Sequence, residues 1–300
     1  MRTIRVSTRF ERSPCLARHA SVLAPALTLL ALGLLGCAEE EVRVGPCDPR
    51  LVACQERLAR AVSEARGGPE VDLPPVDVIT EDELRAFLEG EVEEPTPAEM
   101  RQYEVWGHAL MLLRLVQSPA ALTTGSIDDF VANVAAFYDP DTGGITVIDR
   151  GMPTNFAEAS YVFAHELTHR AQDIDHEAGF AAHEGLSDSL DGDDALGHHV
   201  EGEATVVGNL VLVGLRDQYV SAQGWRDYFA EWLAATRVAV VTDTDPYLVV
   251  RSQLKYVVGG AFLMDAWFDG GADNLRQQWD PAILETANWM RGYDSRIAAA

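Results

Sequence analysis

The hydrophobic pattern divides the chain into a leader, a short helical stretch and a longer region in which helices surround a strand pair. An apolar run from Val22 to Leu35 follows five arginines (Arg2, Arg5, Arg9, Arg12 and Arg18) and is too short to span a bilayer comfortably. Residues 49–66 have a helical pattern, and Gly67-Gly68-Pro69 with Pro74-Pro75 then reads as a linker. Thr80-Glu81-Asp82-Glu83 and Thr96-Pro97-Ala98-Glu99 each match a capping box, in which a hydroxyl and the acid three residues on satisfy each other's backbone N–H. Helices are predicted to start at both, the second with Pro at its first position and running to about Val116. A third is predicted after Ser126, where Ile127, Val131, Val134 and Ala135 form an apolar stripe.

Phe137 to Ile148 reads as strand, turn, strand. Pro140 and Asp141 early in the turn, with Gly143 and Gly144 late, supply the backbone angles of a tight reversal. A strand at this place can leave an edge to which an extended peptide adds, or the sheet can simply support the next helix. That helix is predicted from about Asn155 to Asp173. One side carries Val162, His165, Glu166, His169 and Gln172, and another carries Ala164, Leu167 and Ala171, so a polar face and a packing face are separable. The run Val206 to Leu215 is apolar all round and Val-rich, which fits a buried helix or a strand. The fold expected is mainly α (α+β), with a small β-hairpin or sheet before the helix at 155–173. Its organisation is residues 1–36 as a leader, 37–75 as anchor, short helix and linker, and 76–300 as the main domain.

Composition supports a packed core: 47% of 300 residues are hydrophobic, with six Trp and ten Phe. A net charge of −24 argues against a nucleic-acid partner, since phosphate binding needs clustered Lys and Arg and none is visible beyond the first twenty residues. Leu34-Leu35-Gly36-Cys37 resembles the lipobox of bacterial lipoproteins, which implies cleavage before Cys37, a lipid on that residue, and an exported chain anchored to a membrane on its periplasmic or outer side. Cys15 leaves with the leader. Cys47 and Cys54 remain as a pair that an oxidising compartment can join in a disulfide. The acidic stretch from Asp173 to Asp194 lacks the Asp spacing, central Gly and final Glu of a twelve-residue calcium loop, and reads as solvated.

The chemistry lies in His165-Glu166-Leu167-Thr168-His169. Residues four apart share a helix face, so the two imidazoles can converge on one ion while Glu166 sits beside it. Zinc suits two imidazoles and a carboxylate, because it keeps a fourth position for water when three protein ligands bind. A third ligand is sought in Gly197-His198-His199-Val200-Glu201-Gly202-Glu203-Ala204-Thr205; Glu201 is the first choice, Glu203 its rival and His199 a further alternative. Gly202 and Ala204 are small enough to let this helix approach the one bearing His165. Asp173, Asp194 and Thr205 are candidates to bond the outer nitrogens of the imidazoles. Tyr256, Tyr247, His198 and His199 are candidates to stabilise an oxyanion.

From Thr80 to Gly271 the chain resembles bacterial gluzincin-type zinc metallopeptidases, which are often exported lipoproteins. The resemblance rests on Phe137-Tyr138-Asp139-Pro140, the His165–His169 motif with Gln172-Asp173, Asp193-Asp194-Ala195, and Glu201-Gly202-Glu203-Ala204-Thr205. It implies a zincin-like domain in which His165, His169 and Glu201 bind zinc, a zinc-activated water cleaves peptide bonds, Glu166 is the general base, and Tyr256 assists. Lys255 stands where the family tends to have Pro. Two other readings fit the residues: a non-catalytic zinc-binding scaffold, and a zinc hydrolase of cell-wall amide linkages.

Overall fold

The computed structural model describes residues 45–91, 96–120, 122, 126–151, 155–175, 190–243 and 245–279. The leader, Cys37 and residues 176–189 of the acidic stretch lie outside them. The elements run α1 (Val52–Arg66), β1 (Val76–Thr80), α2 (Glu81–Glu91), α3 (Pro97–Leu112), α4 (Ser126–Asn133), β2 (Ala136–Asp139), β3 (Gly144–Asp149), α5 (Phe156–Asp175), α6 (Leu190–Leu215), α7 (Ala222–Thr242) and α8 (Pro246–Gln277). The described chain is therefore mainly helical with one small sheet. None of its helices is long and apolar enough to cross a membrane.

Local signals explain most element starts. Thr80 and Glu83 make both bonds of the capping box, at 3.2 Å from the Glu83 N–H to Thr80 Oγ1 and 2.8 Å from the Thr80 N–H to Glu83 Oε2. Gly67 ends α1 in the left-handed region at φ 62°, its N–H on the Ser63 carbonyl. The predicted helix at 97 stops at Leu112, short of Val116, because the chain reverses through Arg114 at φ 58°. The run Val206 to Leu215 is the C-terminal part of the single helix α6.

The sheet holds a strand that its sequence neighbourhood of prolines conceals. β1 pairs in parallel with β3, Val76 opposite Ile145, and β2 pairs antiparallel with β3, Tyr138 opposite the same Ile145. The order β1-β3-β2 makes β3, the strand immediately before α5, the paired centre. The edge beside α5 is β2 instead. Leu84, Val131 and Ile148 bury the α2 and α4 side of this sheet.

The main core joins Phe163, Ala164 and Leu167 of α5 to Val206, Val207 and Val211 of α6, Leu263 and Met264 of α8, and Leu58 and Val62 of α1. Helix α1, which the sequence reads as separated by a proline linker, is thus part of the compact unit that begins at Pro46. A disulfide joins Cys47 to Cys54, with Cα atoms 5.8 Å apart. It also ties into α5: the Cys47 N–H donates to Ser160 Oγ at 3.0 Å, and the same hydroxyl donates to the Cys47 carbonyl at 3.2 Å.

Gly202 does not serve the contact its position suggested. A Cβ there would lie 2.5 Å from the Gly259 carbonyl carbon, and one on Gly259 would lie 2.0 Å from the His198 oxygen, so these two glycines let α6 cross α8 backbone to backbone. The close approach of α6 to α5 occurs two turns later, where a Cβ on Gly208 would meet the Tyr161 ring at 3.0 Å. The α6–α8 crossing brings Glu201 next to Lys255 and Tyr256.

Candidate metal centre

Helix α5 starts at Asn155, whose Oδ1 accepts the N–H groups of Ala157 and Glu158 at 3.1 and 3.4 Å. The four-residue spacing then sets His165 and His169 on one face, their rings edge to face with centroids 4.7 Å apart. Their Nε2 atoms lie 3.0 and 3.4 Å from one oxygen of Glu201, Oε2. These three residues offer ligand atoms that all fall within 4.8 Å of one another, with His165 buried and the His169 side chain 13% exposed. The cluster can hold a metal ion.

Glu203 does something different. Two residues on a helix turn the side chain through roughly 200°, to the other side of α6. There Glu203 is fully buried and accepts from Arg66 Nε at 3.0 Å, Gln172 Nε2 at 2.9 Å and Trp279 Nε1 at 2.9 Å. Arg66 is held in turn by Asp175 at 2.8 Å. His199, the other alternative, is buried against Trp279 at a centroid distance of 4.5 Å.

The two glutamates are linked through Gln172. Its Oε1 is 2.9 Å from His169 Nδ1, while its amide nitrogen donates to Glu203 and to the Val200 carbonyl at 3.0 Å. Gln172 thereby orients His169, the task proposed for Asp173, Asp194 or Thr205. Asp173 instead accepts from the Tyr138 hydroxyl at 2.5 Å, Thr205 is buried beside Tyr161, and the Asp194 side chain lies outside the described residues. The signal for Gln172 is its place three residues after His169 on the polar face of α5. His165 Nδ1 is buried with no hydrogen-bond partner.

No protein-family model, curated protein or solved structure matches the chain.

Glu166 is buried beside the cluster. Its Oε2 accepts the Tyr138 N–H of edge strand β2 at 2.9 Å, which ties the sheet to α5 at this residue. Burial pushes the Glu166 pKa up, against the pull of the His165 and His169 rings. Burial opposes a charged His169, yet its hydrogen bond to Glu201 and the carboxylates of Glu201 and Glu166 prevail and push its pKa up to about 9. Glu201 is the mirror case: burial is outweighed by the two imidazoles, which hold its carboxyl far below the ordinary range. Glu201 thus forms an ion pair with a protonated His169.

Helix α8 covers the cluster. The Tyr256 ring lies 5.9 Å from that of His165, and its hydroxyl is hydrogen-bonded to Glu201. Burial, then the Glu201 and Glu166 carboxylates, drive its pKa well above the ordinary tyrosine value, so Tyr256 is a neutral donor. Lys255 Nζ sits 2.8 Å from the second oxygen of Glu201, Oε1, and 5.0 Å from the centre of the Tyr256 ring. The sequence marks Lys255 only as a departure from a pattern, and it gives no sign that Arg66, about a hundred residues before the motif, supports this centre. Tyr247 lies at the start of α8 with its N–H on the Leu115 carbonyl, and the backbone of His198 faces Gly259.

Proposed function

We propose that the chain is a membrane-anchored, zinc-dependent metallopeptidase of gluzincin type with a zincin-like domain. The observation that carries this reading is the convergence of His165, His169 and Glu201, from two helices, with Glu166 buried against them. Two imidazoles and one carboxylate form the donor set of catalytic rather than structural zinc. Bound there, zinc would supply Lewis-acid activation of water and of the scissile carbonyl. The remaining work falls to protein groups.

Glu166 takes and returns the proton. One of its oxygens is held by the Tyr138 N–H, which leaves the other for the exchange, and burial raises its basicity toward neutral pH. Tyr256 is a neutral hydroxyl at the same cluster and donates to an oxyanion when Glu201 releases it. Edge strand β2 places backbone groups alongside Glu166, where an extended peptide would align. Attachment to the membrane is assigned to a lipid on Cys37.

The test is metal content with turnover. His165→Ala and Glu201→Ala should lose zinc by elemental analysis. Glu166→Gln should keep zinc and lose hydrolysis of a casein substrate by about a hundredfold or more. Undiminished casein hydrolysis by the zinc-loaded Glu166→Gln protein removes the peptidase reading, and cell-wall fragments assayed beside casein separate peptide from cell-wall amide cleavage.

A further inference from the structure

The chain contains 22 arginines and one lysine, and the lysine is Lys255. It forms the ion pair with Glu201, and its side chain is 32% exposed while that of Glu201 is 16% exposed. The pairing is divided cleanly between the two carboxylate oxygens: Oε1 takes the ammonium at 2.8 Å, and Oε2 faces both imidazoles. We propose that Lys255 is a positioning residue that commits Glu201 to ligation through one oxygen and weakens the grip of the centre on its metal ion. This rests on the metal reading above and adds to it a charge that the donor set does not contain.

The physical argument has two parts. An ammonium is a compact point charge that bonds one oxygen and leaves the other free, whereas a guanidinium is a planar fork whose geometry matches both oxygens of a carboxylate. Lysine therefore holds Glu201 and leaves Oε2 to a metal, in a chain that otherwise uses arginine at every cationic position outside histidine. Second, Glu201 and Glu166 together balance a divalent cation in this buried site. Lys255 adds a positive charge in contact with the ligand, which repels the ion and draws electron density from Glu201. The centre then holds its ion less tightly and makes it a stronger Lewis acid. Glu201 keeps its orientation without Lys255 because Tyr256 also bonds it and α6 is fixed by the Gly202–Gly259 crossing.

Zinc affinity of the full chain, measured by chelator competition, tests this with two variants of opposite sign. Lys255→Met should bind zinc at least tenfold more tightly than wild type. Its cobalt(II) form should show weaker visible bands as Glu201 closes onto the ion with both oxygens. Lys255→Arg should bind at least tenfold more weakly, because the fork occupies Oε2. Acetylation of the wild-type protein gives the same answer without a mutation: the reagent has only Lys255 and the terminal amine to modify, and acetylated Lys255→Met controls for the latter. Acetylated wild type should match Lys255→Met. Wild type that takes up zinc, with Lys255→Met or acetylated protein binding equally or less tightly, overturns the role of Lys255 alone. Wild type that takes up no zinc overturns the metal centre itself.

Discussion

Glu201 and Glu203 stand two residues apart on one helix and have opposite surroundings. Glu203 is closed off: three donors from α1, α5 and the chain after α8 saturate it, and solvent does not reach it. Glu201 is paired with groups that can be exchanged, two imidazoles and an ammonium that is partly exposed. A carboxylate whose hydrogen bonds are complete builds structure, because removing any partner leaves a charge buried and unmet. A carboxylate whose partners are themselves ligands or replaceable cations is available for an incoming ion. Gln172 bonds Glu203 and also His169, a partner of Glu201, so the rigid side sets the ring orientation of the open side.

The sharpest break of this contrast is Arg66→Met, which leaves Glu203 ionised and buried without its cation. We expect a loss of about 3–5 kcal/mol in urea unfolding, compared with a small change for Lys255→Met on the open side. Reduction of Cys47–Cys54 should cost about 2 kcal/mol in the same assay by freeing the short loop that pins α1 to α5. Gln172→Leu should lower zinc affinity by roughly ten- to a hundredfold, since His169 loses its acceptor, and it should also reduce stability because Glu203 loses a donor.

The smallest effect is in pH, and it separates the two sides. His169 has a pKa raised from 6.5 to about 9, so its protonated form stabilises the metal-free protein fully below pH 6.5, and that contribution is lost as pH rises to about 9. Zinc requires the neutral ring, so zinc-dependent stabilisation should grow over the same interval. Glu203, despite the cost of burial, has its pKa lowered by Arg66 and Gln172; its contribution is present above the ordinary value of 4.5 and fades as pH falls below it. Thermal melts from pH 4 to pH 9 with and without zinc check both limbs. A metal-free protein whose stability is flat from pH 6.5 to pH 9 would remove the ion pair between protonated His169 and Glu201.

What the sequence determined on its own is whatever depends on near neighbours. The His165–His169 spacing puts two imidazoles on one face, Thr80 and Glu83 cap α2, Pro140 to Gly144 turn the hairpin, and the Cys47–Cys54 pair closes over seven positions, because helical period, capping and turn geometry act within a few residues. Glu201 could be nominated but not separated from Glu203, since both lie on one helix and only the position of α5 says which face meets it. Tertiary structure alone decided the rest: that β1 joins the sheet and leaves β3 central, that Gly202 meets α8 rather than α5, and that Arg66 and Lys255 stand behind the ligands. Each of these is a contact between segments brought together by burial of a shared apolar core, a force with no direction along the chain and therefore no local signature in it.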